Sequence, residues 1–192
     1  EEADSNYQLI SGLSDEVSNE DGLFQTTKAR LPWLLIGLLG GVLTSTVISE
    51  NESEITLIPQ IVFFIPLIAA MGGNVGVQSS AIVVQALANS TLQKNIWQRL
   101  ARELGVGLFN GLICSLVIVG YSWAIGQGLL FATAVGSSLL AVVLFASLFG
   151  TAIPWILNKY NIDPALATGP FITTTNDVLG LSIYFAIANA LL

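Results

Sequence analysis

The sequence predicts an all-α integral membrane protein with five transmembrane helices, and three observations carry that prediction. Of the 192 residues, 53% are hydrophobic and 10% are charged, against about 25% charged in soluble domains, and the mean hydropathy is +0.74. Five apolar stretches each reach the roughly 20 residues that a helical crossing needs. With five crossings, all six basic residues, Lys28, Arg30, Lys94, Arg99, Arg102 and Lys159, fall on one side. By the positive-inside rule that side is cytoplasmic, which puts the N-terminus inside and Leu192 outside.

Composition also removes several kinds of chemistry. There is no histidine, and the single cysteine, Cys114, lies in an apolar run. A disulfide framework and a zinc or haem centre are therefore not expected, whereas a hard cation held by oxygen ligands or by its own water is compatible. The net charge of −7 comes mostly from the first 54 residues, which hold ten of the 13 acidic ones. Such a balance disfavours nucleic acid.

Residues 1–30 read as a polar leader, with scattered apolar positions over 6–13 and 17–24 that fit short amphipathic helices. The chain starts at Glu1 without a methionine, as expected of a piece of a longer or processed protein. Pro32 suits the first turn of a first span over 31–49. Glu50, Glu52 and Glu54 then form an acidic loop, which concentrates cations by its field or is simply solvated. The second span, 57–88, is long, holds Pro59 and Pro66, and contains MGGNVGVQSS at 71–80, so this helix is expected to be kinked or locally opened. The small and amide residues of that run expose carbonyls that suit a hydrated cation, or serve tight helix packing through Gly72 and Gly76.

A third span covers 103–125, with Glu103 read as a partner of Arg99 on a wet helix end. The uncharged turn 126–128 leads to a fourth span over 129–157, which must tilt or project. The fifth span, 167–192, carries the most costly residue of the chain. Asp177 is an acidic group inside an otherwise uncharged apolar segment, unfavourable by roughly 3 kcal/mol at a bilayer centre, and such residues normally face protein or water on a substrate route.

On a helix over 171–192, Thr173, Thr174, Gly180 and Tyr184 share the face of Asp177. Asp163 precedes Pro164 and suits a helix N-cap. On an unbroken helix it would share that face with Asp177 about 20 Å away, although Gly169 and Pro170 interrupt the run. PLIAAMGGNVG at 66–76 and PFITTTNDVLG at 170–180 align without gaps, setting Gly73 opposite Asp177, as in the repeats of some transporters.

RLPWLL at 30–35, PLIAAMGGNVGVQSSA at 66–81, RELGVGL at 102–108 and DPALATGPFITTTNDVLGLSIYF at 163–185 together resemble the MgtE-type magnesium channels and transporters. The resemblance covers about the whole chain. It implies a homodimer with five membrane helices per subunit and a pore on the two-fold axis, lined by the second and fifth helices. It implies Asp177 as the carboxylate that binds Mg²⁺ still holding its water shell, and Asp163 as the acidic residue near the cytoplasmic mouth. Gly73, Asn74, Val77, Gly169, Thr173 and Gly180 are then pore-lining positions. Many members have asparagine where this chain has Val77 and Gly169, so contact there falls to the backbone.

The resemblance further implies cytosolic CBS modules that sense Mg²⁺, outside this sequence. Residues 1–30 resemble the connecting helix that plugs the channel, and 31–192 the pore domain. The expected activity is channel-like passage of Mg²⁺ through the cytoplasmic membrane, with other divalent cations as competitors and no enzymatic chemistry. A Na⁺- or H⁺-coupled carrier is the alternative within transport, and a non-conducting assembly subunit the alternative outside it. An intramembrane aspartyl hydrolase would need two deep aspartates, and only Asp177 is deep.

Overall fold

A computed structural model describes residues 22–89, 96–167 and 169–192. The leader helices expected before residue 22, and Lys94, lie outside these residues. Helix α1 spans Leu23–Glu50, the short α2 Glu52–Leu57, α3 Ile65–Ala88, α4 Ile96–Ala124, α5 Leu129–Lys159 and α6 Pro170–Leu191. Two 3₁₀ turns, Pro59–Phe64 and Pro164–Ala167, precede α3 and α6. Five of these segments are long and apolar enough to cross a membrane, with Pro59–Ala88 counted as one. The chain is an all-α, multi-pass membrane protein.

Several element ends differ from expectation. Helix α1 begins at Leu23 and takes Pro32 into its interior. The proline removes one backbone hydrogen bond, yet the carbonyl it leaves, that of Lys28, lies on an exposed turn where water can replace the donor. Helix α4 starts at Ile96, so Arg99 and Arg102 are helical. Helix α5 has 31 residues, about 46 Å at 1.5 Å per residue, and outruns a hydrocarbon core of about 30 Å.

The opening expected of the second span falls at its start, where the 3₁₀ turn Pro59–Phe64 precedes α3, and the run 71–80 is continuous helix. Both prolines of the second span fall in first turns, Pro59 in the 3₁₀ turn and Pro66 in α3, where a missing N–H costs nothing. Helix α3 then runs unbroken through all three glycines. Their role is close approach. A side chain on Gly76 would collide with the Asn176 amide of α6, and one on Gly150 of α5 would collide with the Gly76 carbonyl. On Gly72 a methyl would meet Val142 of α5 at 3.1 Å. In a bilayer helices gain little from hiding apolar surface, so small residues that admit van der Waals contact decide the packing.

Helix α5 is the hub. It lies against α4, α3 and α6, while α1 rests on α6. The core contains Ile68 of α3, Val135, Leu139 and Val142 of α5, and Leu181 and Phe185 of α6. Tyr184 is fully buried and donates its hydroxyl to the Ile61 carbonyl at 2.9 Å, tying the C-terminal half of α6 to the 3₁₀ turn before α3. The outward faces of α1 and α4, including Leu34, Leu38, Leu112 and Leu116, are exposed as lipid-facing surfaces should be.

Candidate functional site

The site is built where α6 begins. Asp163 accepts the Ala165 N–H at 2.9 Å, and so caps the 3₁₀ turn as expected of an Asp–Pro pair. The chain then reverses at Gly169, whose φ of +58° favours glycine. Pro170 follows in the first turn of α6. Asp163 and Asp177 therefore stand on separate elements, Asp163 exposed and Asp177 half-buried.

The neighbours expected to share one polar face with Asp177 are divided among other helices. Thr173 backs onto Gly73 of α3, where a Cβ would lie 3.5 Å from the threonine methyl, and its hydroxyl donates to the Gly169 and Pro170 carbonyls. Thr174 fills the notch over Gly40 of α1. Gly180 is buried, its open side 3.2 Å from Val142 of α5. Tyr184 is in the core.

Asp177 alone keeps its carboxylate unpartnered, with no hydrogen bond or ion pair to a described residue. Thr173, one turn earlier, links it to α3. Gly73, Thr173 and Gly169 are thus in contact, and Asp177 follows Thr173 by one helical turn, whereas Gly180 turns towards α5. Asn74 is exposed and Val77 half-buried on α3.

Two features escaped the sequence reading. Asn176, 1% exposed, points into the crossing of α3 and α6, and both its amide atoms lack a hydrogen-bond partner. Its signal was an amide in an apolar run, overshadowed by the neighbouring charge. Asn74, Gln78 and Gln85 form the second: they fall within about 40° of one another on a helical wheel, and all three are exposed. At the other end, Glu50, Glu52 and Glu54 are solvent-facing, and the Ser53 hydroxyl, 2.7 Å from Glu54, holds that carboxyl below its usual range. Among the described residues no group of three or more acidic, histidine or cysteine side chains could hold a metal ion. A cation at Asp177 would therefore meet one carboxylate per chain, with hydroxyls, amides and water.

Five helices long and apolar enough to cross a membrane, an unpartnered carboxylate within one of them and small-residue contacts between them describe a polytopic membrane protein with features expected of a transporter or channel. Residues 65–187 match the family model of MgtE, described as a divalent cation transporter. The magnesium transporter MgtE of Bacillus subtilis is 36% identical over 190 residues, covering 98% of this chain and 42% of that protein. Its Thermus thermophilus counterpart is 38% identical over 181 residues, covering 94% and 40%, and the Enterococcus faecalis one 35% over 190 residues, covering 98% and 42%. The chain belongs to the MgtE family of divalent cation transporters. It spans less than half the length of these curated relatives.

Proposed function

We propose that this chain forms the ion-conducting part of a Mg²⁺ transporter in the cytoplasmic membrane, with the Asp177 carboxylate as its ion site. The observation that carries the reading is the unpartnered Asp177 in the middle of the last apolar helix, beside the Thr173–Gly73 contact. A carboxylate left free in a membrane helix is costly unless water or an ion reaches it. Mg²⁺ gives up its waters reluctantly, so a site of one carboxylate, hydroxyls and backbone oxygens that holds the hydrated ion avoids most of the dehydration cost.

A second copy of the chain completes the site in this reading. The amide row Asn74, Gln78 and Gln85 is open in the single chain, and amides facing lipid need cover. Pairing about a two-fold axis near α3 and α6 supplies that cover and brings two Asp177 carboxylates to one divalent ion. Asn74, Val77, Gly73, Gly169 and Thr173 then border the route, Gly180 sets the approach of α5 behind it, and Asp163 stands at the cytoplasmic mouth. The relatives' magnesium transport, by name, agrees with this assignment. Moving two charges through 100 mV is worth about 4.6 kcal/mol, enough to drive uptake without another fuel.

The test is Mg²⁺ uptake into proteoliposomes under an inside-negative potential without Na⁺. Flux in the parent that disappears in Asp177→Ala is expected. Equal flux in both removes Asp177 from the route, a requirement for Na⁺ or a proton gradient makes the chain a coupled carrier, and no flux under any gradient makes it an assembly subunit.

A further inference from the structure

The sequence marks Glu103 as half of a solvated pair with Arg99, but the structure buries it. Glu103 is 6% exposed, on the side of α4 that faces the other helices. Its Oε1 accepts the hydroxyl of Ser79 on α3 at 2.6 Å, and its Oε2 lies 3.5 Å from Arg99 Nη2, one turn earlier on α4. Ser79 is itself 3% exposed. The serine contact is short, as hydrogen bonds to ionised acceptors are.

A buried ion pair is a poor device for stability alone, because apolar residues of similar volume commonly do as well or better. Its attested use is to select one arrangement among packings of similar energy. Here the arrangement concerns α3. Ser79 lies three residues beyond Gly76, which receives the Asn176 amide, and six beyond Gly73, which receives Thr173. Turning α3 by one residue, about 100°, would carry Gly73 off Thr173 and swing Asn74 away from its present face. The glycine contacts oppose such a turn by exclusion, since it would carry Val75 or Val77 into the space that Asn176 and Ile172 fill. A directional bond from Ser79, about 120° around α3 from Gly73, adds an attractive restraint that selects this rotation.

We infer that Glu103 is a positioning residue for transport: through Ser79 it fixes the rotation of α3 and so keeps Gly73 and Asn74 beside the Asp177 junction. Arg99 compensates the buried charge and orients the carboxylate. This inference rests on the transport reading for its consequence, though the lock itself can be read without flux.

The experiment compares Ser79→Ala, Glu103→Gln, Glu103→Met and the Ser79→Ala/Glu103→Met pair in the same uptake assay. Distances are measured in parallel between spin labels on Ile82 of α3 and Leu108 of α4, both exposed, in a Cys114→Ser background. Glutamine keeps an acceptor for Ser79 and should hold flux within about twofold, whereas Ser79→Ala and Glu103→Met should each lose about tenfold, and the pair no more than either alone. The label distance should be narrow in the parent and in Glu103→Gln, and broadened in the other variants.

Parent-like flux and distances in Ser79→Ala overturn the inference. So do losses that add in the pair, or lost flux with unchanged distances. If the parent itself does not conduct, the transport reading fails, and the distance distributions alone decide whether the lock exists.

Discussion

At the scale of single residues, the crossing of α3 and α6 depends on one amide and one missing side chain. Asn176 occupies the space above Gly76, and Ile172 lies 2.8 Å from where a Cβ would stand. Gly76→Ala should therefore lower stability by about 1–3 kcal/mol through overpacking, read as an earlier unfolding midpoint in detergent. Combining it with Asn176→Ala should recover part of the loss, because the amide retreats while Ile172 remains. Full additivity would show that the two residues do not share this space. Tyr184→Phe keeps the ring but removes a buried bond to the Ile61 carbonyl, and should cost about 0.5–1.5 kcal/mol in the same measurement.

Residue identity explains why part of the site was legible. Asp177 stood out because a charge in an apolar run has a known cost, and in the structure its carboxylate has no partner among the described residues. Its expected companions lie on its side of one continuous helix, but a helical wheel gives a face and not the helix that covers it. Thr174, Gly180 and Tyr184 each met a different neighbour. Glu103 was read from its i−4 partner, and the bond that matters comes from Ser79, 24 residues away, a relation no local spacing encodes.

At the scale of elements, the glycines of α3 carry the lesson. The run 71–80 looks like a helix breaker when propensity is counted, since glycine costs about 1 kcal/mol in a helix interior. In the structure it is an unbroken helix, because the backbone-to-side-chain contacts at Gly72, Gly73 and Gly76 outweigh that cost. The same holds between α3 and α5. Gly150→Val should drive a side chain into the Gly76 carbonyl, and because backbone cannot yield as a side chain can, the damage should exceed that of Gly76→Ala. An unfolding midpoint for Gly150→Val at or above that of Gly76→Ala would contradict this packing. Span positions were legible because long apolar runs admit no other use, and span ends were not, since helices continue past the membrane edge wherever water can solvate their charges.

At the scale of the whole molecule, the arrangement of charge predicts orientation. If the basic side faces the cytoplasm, a cysteine replacing Glu52 should react with an impermeant reagent in intact cells. One replacing Lys159 should react only after permeabilisation. The reverse pattern would invert the molecule. Two copies meeting along the amide row should also give a dimer mass in native mass spectrometry, and a monomer under conditions that retain flux would remove the axis from the route.

The bond from Tyr184 to the Ile61 carbonyl joins residues 123 positions apart, and it has a consequence for biosynthesis. The second crossing leaves the ribosome long before the fifth, so until the fifth emerges the 3₁₀ turn at Ile61 has no tyrosine to receive and the notch over Gly76 stands empty. The earlier crossings can be threaded into the bilayer one after another, but the carboxylate-bearing helix must then slide in among segments already present. Packing of these five segments thus waits for the helix that bears Asp177, and a nascent chain in which it has not yet emerged exposes unfinished seams to membrane quality control.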